Sequence, residues 1–240
     1  SVISALTLQL SACGEGSNNL KDPATNSTTT ITNCSDDTNN QCTSGQFIDE
    51  PVVGLNYECD KVKSLTDAEG FFSCPDNSMV SFYIQSSQGG KRINLGKYRV
   101  KPLGDLAGNK LNVLLQITPR DLLGYQNVNI ETESPVGKQV ANILRVLQAL
   151  DSDGYVADNQ VVNRIVLADS DKSKLALLSR DLEVADFAQT DALETALAPV
   201  LTALSKKLPA NAEAIERFKK SLPALQAGLY EVLPFAVLKS

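Results

Sequence analysis

Apolar and polar positions divide the chain into three stretches with different periods. Residues 13–46 are rich in Ser, Thr, Asn and Asp and have few apolar positions. Such a segment cannot bury enough surface to offset its chain entropy, so it is predicted to be a flexible linker. Within residues 47–103, apolar residues alternate with polar ones, as in strands with one buried face. Within residues 104–240 they recur every three or four positions, as in amphipathic helices.

The alternation is clearest in the segments VVGLNYEC (52–59) and MVSFYIQ (79–85). Between these segments, residues 67–70 have the composition of a turn, and Gly70 can take a positive φ angle. A second turn is predicted at residues 88–90, before KRINLG. Short strands separated by turns at this spacing predict a small antiparallel β-sandwich.

Three apolar stripes in the second half predict helices that pack in a core. The first helix begins at Ser134 and Pro135, a favourable N-cap and first helical residue, and ends before Gly154. The second is expected to bend near Pro199 and the third to be interrupted at Pro223. The stripes comprise Val136, Val140, Ile143, Leu144, Leu147 and Leu150; Leu193, Leu197, Leu201, Leu204 and Leu208; and Ile215, Phe218, Leu222, Leu225 and Leu229.

These patterns predict an α+β protein. A small antiparallel β-sandwich over residues 47–103 precedes a mainly α-helical domain over residues 104–240. The third stripe is followed closely by the apolar stretch VLPFAVLKS, so we expect this domain to continue beyond residue 240. An apolar run of about 18 or more residues, the length that spans a bilayer, does not occur.

The start of the chain carries a targeting pattern. Residues 1–12, SVISALTLQLSA, look like the end of a secretory signal peptide. The segment Leu10-Ser11-Ala12-Cys13 resembles the lipobox of bacterial lipoproteins. That resemblance implies a diacylglycerol on Cys13, cleavage before it, and a lipidated linker over residues 13–46. A glycine follows Cys13 where many inner-membrane lipoproteins have aspartate, which favours the outer membrane. A buried strand with an incidental cysteine is the alternative.

Five cysteines are present, and setting Cys13 aside leaves Cys34, Cys42, Cys59 and Cys74. Four cysteines permit three pairings, and their spacing favours Cys34–Cys42 and Cys59–Cys74. Disulfides persist in oxidising compartments such as the periplasm or the cell surface. A zinc site is the alternative, but it would need closely spaced cysteine pairs that the chain lacks.

Two blocks of the sequence have a recurrent form. The first comprises Val52-Val53-Gly54-Leu55-Asn56-Tyr57, Thr66-Asp67-Ala68-Glu69-Gly70-Phe71, Val80-Ser81-Phe82-Tyr83-Ile84 and Leu95-Gly96. The second has the form N-x-L-R-x-L-Q-x-L-D-x-D-G over residues 142–154. Together they resemble a module of bacterial surface lipoproteins, some of them associated with pilus assembly or adhesion. The usual D-G-D-P-S-N-G continuation is replaced here by DGYVADNQ, which departs from the family pattern.

Amino-acid composition limits the partners and the catalytic or metal-binding groups that the protein can have. With 28 acidic and 22 basic residues, the net charge of −6 argues against a nucleic-acid partner. The chain has no histidine, which removes the usual general base and the commonest metal ligand near neutral pH. Serine–histidine and cysteine–histidine sets are therefore excluded, and no phosphate-binding loop motif occurs. We expect no enzymatic activity, and a hydrolase using a pair of carboxylates is a distant alternative.

Asp151, Asp153 and Asp158 are the candidate metal ligands, because carboxylates at alternate loop positions bind Ca²⁺. An EF-hand loop starting at Asp151 needs Gly at its sixth position and Glu at its twelfth, where this chain has Val156 and Val162. A helix-terminating turn explains the same acidic residues. We therefore expect no cofactor, and at most a weak affinity for Ca²⁺.

Two functions are consistent with these sequence features. The first is a non-enzymatic outer-membrane lipoprotein, held to the membrane through its lipid anchor, that acts in surface attachment or in assembly of a pilus or other extracellular fibre. The second is a periplasmic binding or envelope-maintenance lipoprotein whose helical half grips a ligand or a protein partner. Surface exposure and a periplasm-facing position therefore both remain open.

Overall fold

The protein is α+β in the residues that the structure describes. A computed structural model describes residues 34, 42–60, 62–101, 115–125, 130, 133–154 and 163–232, with side chains described as far as residue 222. These residues form a four-stranded antiparallel sheet, two smaller sheets and several helices. Cys13 and most of the predicted linker lie outside the described residues.

The strands belong to three sheets. They are β1 Cys42–Phe47, β2 Val52–Val53, β3 Asn56–Cys59, β4 Val62–Leu65, β5 Phe71–Pro75, β6 Met79–Ser86, β7 Gly89–Arg99, β8 Leu115–Ile117 and β9 Ile165–Val166. The largest sheet has the order β4-β3-β6-β7, with every neighbour antiparallel. In the second, β1 lies between antiparallel β5 and parallel β8. Strands β2 and β9 form a short parallel pair.

Five α-helices and two short 3-10 turns lie in the described residues. They are α1 Pro119–Leu122, α2 Pro135–Ala149, α3 Asp169–Lys172, α4 Thr190–Leu204 and α5 Asn211–Val232, with 3-10 turns at Ser173–Leu177 and Val184–Ala188. The Ser134 side chain accepts a hydrogen bond from the Gly137 amide (3.0 Å), which confirms the predicted N-cap of α2. The interruption expected at Pro223 is wrong, because α5 continues through it. Proline removes one backbone donor there without ending the helix.

Strand β1 starts at Cys42, inside the range that composition predicts to be linker. Its sequence CTSGQF is small and polar, yet Thr43 and Gln46 are buried. Gly45 shows why small residues are needed, since a Cβ there would lie 2.6 Å from the Phe72 ring. The residues that lower the apolar content of this segment are therefore the ones that let β1 lie against a large aromatic side chain.

The two predicted domains, 47–103 and 104–240, share sheets. Strand β8 pairs with β1 and β9 pairs with β2, so strands from beyond residue 104 complete sheets that begin near residue 42. One buried core cluster runs from Phe47 to Leu201. Below, the β half means residues 42–101 and the helical half means residues 115–232, although the two form one packed body.

Aromatic rings and a disulfide join the two larger sheets. Phe82 on β6 packs against Phe47 on β1 and Phe72 on β5, with ring centroids 4.8 Å and 5.1 Å apart. The Cys59–Cys74 disulfide links β3 to β5, with Cα atoms 5.9 Å apart. The second disulfide joins Cys34 to Cys42, with Cα atoms 5.6 Å apart. Both pairings favoured by cysteine spacing are therefore present.

Removing the two disulfides separately should have unequal effects on stability. Replacing Cys59 and Cys74 by alanine should lower the free energy of unfolding by on the order of 3 kcal/mol, because the bridge closes a loop between two buried strands. Replacing Cys34 and Cys42 is the matched control, with a smaller expected loss. That bridge ties the start of β1 to a segment predicted to stay flexible in both states. Urea unfolding measures both losses, and equal losses would contradict the assignment.

Candidate functional site

Helix α2 carries a row of polar side chains through the interior of the protein. Gln139, Asn142, Arg145 and Gln148 follow one another at three-residue spacing, and Asp151 continues the row past the helix end. Because a spacing of three residues is about 60° short of a full helical turn, each member of the row is offset from the one before it, and the row winds around the helix. We call these five residues the polar ladder. Its last four members are buried, and they supply the Asn, Arg, Gln and first Asp of the N-x-L-R-x-L-Q-x-L-D-x-D-G block.

The middle of the ladder holds α2 to the start of α4. The Asn142 side-chain amide donates to the Phe187 carbonyl (2.7 Å) and to the Thr190 hydroxyl (3.1 Å). The Arg145 guanidinium donates through Nη1 to the Asn142 side chain (3.0 Å). Asn142 is fully buried, so these bonds satisfy a side chain that has no access to water.

Arg145 also reaches the first turns of α4 and the segment that follows this helix. Its Nε donates to the Pro209 carbonyl (2.6 Å), and its Nη2 forms an ion pair with Glu194. All three guanidinium nitrogens therefore have partners in other parts of the fold. Because arginine presents donors in a fixed planar fork, it fixes the direction of the neighbouring segments as well as their distance.

Gln148 connects α2 to the turn after β1 and to α5. Its side-chain amide nitrogen lies 3.0 Å from Asp49 Oδ2 and 3.2 Å from Asp49 Oδ1, and it also donates to the Ala214 carbonyl (3.0 Å). Ser221 on α5 donates to the backbone carbonyl of the same Asp49. The turn at Asp49 is therefore bonded by two different helices.

A buried ionic cluster lies at the end of the ladder. It consists of Asp49, Glu50 and Asp151 around the guanidinium of Arg217 on α5. Arg217 donates to both Glu50 carboxylate oxygens (Nε–Oε1 3.1 Å, Nη2–Oε2 2.6 Å) and to Asp151 Oδ2 (3.0 Å). The three acids are at most 3% exposed, so the single positive charge of Arg217 faces three carboxyl groups that have almost no water contact. Separating Arg217 from these acids would leave buried charge unpaired.

Lys206, in the segment between α4 and α5, adds a second cation beside the cluster. Its Nζ donates to the Asp151 backbone carbonyl (2.7 Å) and to Asp171 Oδ2 on α3 (2.8 Å). The remaining oxygen of the Asp151 side chain, Oδ1, accepts from the Val166 amide on β9 (3.0 Å). Asp151 therefore contacts α5, β9 and the segment between α4 and α5, and each of its oxygens has a protein partner.

Burial raises the pKa values of two acids in the cluster. Asp49 is fully buried, which holds its pKa well above the usual range despite the bonds from Gln148 and the charge of Arg217. Burial also raises the pKa of Asp151 to about 6, while the Val166 amide and Arg217 act in the opposite direction. The cluster therefore takes up protons in a range where exposed carboxyls are ionised.

Of the candidate calcium ligands, Asp151 and Asp153 interact through their side chains, which adds to the raised pKa of Asp151. Both side-chain oxygens of Asp151 are engaged by Val166 and Arg217, and Asp153 is exposed. Asp158 lies outside the described residues. Among the residues that the structure describes, no group of three or more acidic, cysteine or histidine side chains is arranged to hold a metal. A cation at Asp151 would have to displace a guanidinium, so weak calcium binding there stays a prediction.

A cleft of about 540 Å³ opens beside the cluster. It lies along α5 and the segment before it, and charged side chains of both signs line it: Lys207, Glu213, Glu216, Arg217 and Lys220. A second cleft of about 520 Å³ lies between Leu177 and α4, with mostly small or apolar walls. The first cleft is the one in contact with the polar ladder, through Gln148.

The N-x-L-R-x-L-Q-x-L-D-x-D-G block is recognisable in the sequence, but the partners of its polar residues are not. Asp49 and Glu50 follow a short strand and look like solvated turn residues, while Arg217 sits in the charged run ERFKK and looks exposed. One signal was available, since polar residues every third position of α2 interrupt an otherwise apolar helix. A helix with that pattern must bury polar groups, and such groups need partners elsewhere.

Comparison of the chain with protein-family models, curated proteins and solved structures gives no match. The likeness to surface lipoproteins therefore depends on the motifs quoted above. Among the helices of the described residues, none is both long and apolar enough to cross a bilayer.

The ionic cluster should give stability a characteristic dependence on pH. Asp151 has a folded-state pKa of about 6, above its unfolded value of about 3.9, so the folded protein holds more protons between these pH values. The free energy of unfolding should therefore fall as pH rises from about 4 to about 6, and the raised pKa of Asp49 acts in the same direction. Asp151→Asn should reduce this slope, although it also lowers stability. Urea unfolding at a series of pH values measures both.

The matched control is Asp60→Asn, which neutralises an exposed acid at a turn with positive φ that asparagine tolerates. Its curve should parallel that of the wild type. Parallel curves for Asp151→Asn and the wild type would contradict the burial of an ionisable Asp151.

Proposed function

We propose that this protein is a non-enzymatic lipoprotein of the outer membrane that acts in surface attachment or in assembly of a pilus or other extracellular fibre. Its folded body is carried on a linker that is lipidated at Cys13. The lipobox-like segment before Cys13 and the likeness to surface lipoproteins support the anchor. Two disulfides agree with an oxidising compartment outside the cytoplasm.

One observation carries the non-enzymatic part of the proposal: the polar residues of the family-like block are used inside the protein. Asn142, Arg145, Gln148 and Asp151 each bond other parts of the chain and are at most 8% exposed. Side chains that are held in this way stabilise a rigid body, and this use of them supports a structural role for the block. A rigid body on a flexible linker suits a protein that acts in attachment or in fibre assembly at the cell surface.

In this proposal the β half is a small β-sandwich. The sheet β4-β3-β6-β7 and the sheet β5-β1-β8 contact each other through Phe47, Phe72 and Phe82, and the Cys59–Cys74 disulfide spans them. Two sheets that share an aromatic core and a disulfide form the type of small module that resists unfolding outside the cell.

The cleft along α5 favours the second function, a periplasmic lipoprotein that binds a partner through its helical half. The cleft is lined by lysines and glutamates that lie close together, which suits a polar protein surface more than an apolar ligand. Both functions share the anchor at Cys13. They differ in the face of the outer membrane on which the folded body lies.

Protease treatment of intact cells that produce the protein with its own upstream leader tests the proposal. A surface-exposed protein should be cleaved in intact cells, and removal of the lipidated cysteine in Cys13→Ser should abolish its recovery in the membrane fraction. Cells with a permeabilised outer membrane are the control, because cleavage there shows that the protein is sensitive to the protease. Protection in intact cells would favour the periplasmic function, and membrane recovery of Cys13→Ser would contradict the anchor.

A further inference from the structure

The outer face of the four-stranded sheet carries a row of charged residues. Strand register places Lys63, Glu58, Ser81 and Lys97 side by side on β4, β3, β6 and β7. Side chains alternate along a strand, so these residues lie on the face opposite to the buried Phe82. The row crosses all four strands, a width of about 14 Å at the usual strand spacing.

This face carries more basic than acidic side chains although the protein is acidic. Its acids are Glu58 on β3 and, beside Arg92 and Asn94 at one edge, Asp181 and Glu183. Residues 78–101 contain five basic residues and no acidic one, so all 28 acidic residues of the chain lie elsewhere. Lys97 and Arg99 of β7 are exposed, and Arg92 lies over the Tyr83 ring. We call Lys63, Arg92, Lys97 and Arg99 the basic sheet face. The acid of the row, Glu58, is paired with Lys63 at 3.1 Å.

Exposed apolar side chains stand on the same face. Leu65 follows Lys63 by two residues on β4, and Met79 precedes Ser81 by two residues on β6 and lies opposite Arg99. They are 44% and 39% exposed, and within the described residues only Leu177 is a comparably exposed large apolar side chain. The face therefore combines cationic and apolar groups that project from one flat surface.

We propose that the basic sheet face docks on the headgroups of an anionic membrane surface. The face is a broad sheet surface and not a cleft, so it suits an extended planar partner. Its positive charge complements anionic lipids, while the acidic remainder of the protein is repelled from them. Leu65 and Met79 then enter the interfacial layer beside the headgroups.

Two other partners fit the same surface less well. An added peptide strand would pair with the edge strand β4, but β4 has four residues and a central lysine, two features that discourage such pairing. Single-stranded nucleic acid needs exposed aromatic rings for base stacking, whereas Tyr83 is 8% exposed and lies beneath Arg92. Docking on lipid does not depend on the anchor, so it is testable on the unlipidated chain.

Sedimentation of the unlipidated full chain with lipid vesicles tests this proposal. The chain should bind vesicles that contain phosphatidylglycerol and phosphatidylcholine, and bind pure phosphatidylcholine vesicles far less. Raising the ionic strength from about 0.01 M to about 0.15 M should weaken binding, because the Debye length falls from about 30 Å to about 8 Å. The double variant Lys97→Glu/Arg99→Glu should bind at least about tenfold more weakly.

The matched control is Lys174→Glu/Lys219→Glu, which reverses two exposed charges outside the sheet and should bind as the wild type does. Unchanged thermal melting of both double variants shows that the sheet is intact, and Lys97→Arg should retain binding. Absence of binding at low salt, equal binding to neutral vesicles or equal loss in the two double variants would overturn the proposal. So would tighter binding to an acidic peptide or an oligonucleotide than to the anionic vesicles.

Discussion

The pairing of the largely buried Arg217 guanidinium with two buried acids, Glu50 and Asp151, beside a third buried acid, Asp49, constrains the rest of this structure. Arg217 lies on α5, Asp49 and Glu50 follow β1, and Asp151 follows α2, so three distant parts of the chain must meet at one point. Charges without water contact are costly unless they are paired and hydrogen-bonded, and breaking one such pair costs about 3–5 kcal/mol. Partial assembly would leave buried acids without their counter-ion. The cluster therefore favours an arrangement in which sheets and helices form together.

Helix α2 contacts both the sheets and α5, and it thereby positions the segments that carry the ionic cluster. One side of it packs Val146 and Leu147 into the main core with the sheets, and another packs Val140 and Leu144 against α5. The polar ladder winds between these apolar surfaces and bonds the segments that leave the core. The ladder residues of this helix bond to other parts of the chain. This is the physical basis for treating the family-like block as a structural element.

The sequence predicts the features that depend on local spacing. Alternation placed Tyr57 and Phe82 in buried strand positions, and Ser134 marks the start of α2 as expected. Prediction failed where a residue's role depends on a distant neighbour. Gly45 lowers the apolar content of β1, yet it is required by the Phe72 ring 27 positions later in the chain. Glu50 and Arg217 are separated by 167 residues, and nothing in their local sequence indicates that either is buried.

Native-state hydrogen exchange, read on peptides from β9 and from α5, tests the central claim most directly. The amides of Ile165 and Leu167 bond the β2 segment, whereas α5 holds Arg217. If the cluster joins both into one cooperative unit, Arg217→Met should lower the opening free energy of both regions together, by about 3–5 kcal/mol. The exposed Lys219→Met should change neither. Loss of protection in α5 with full protection retained around β9 would contradict the account.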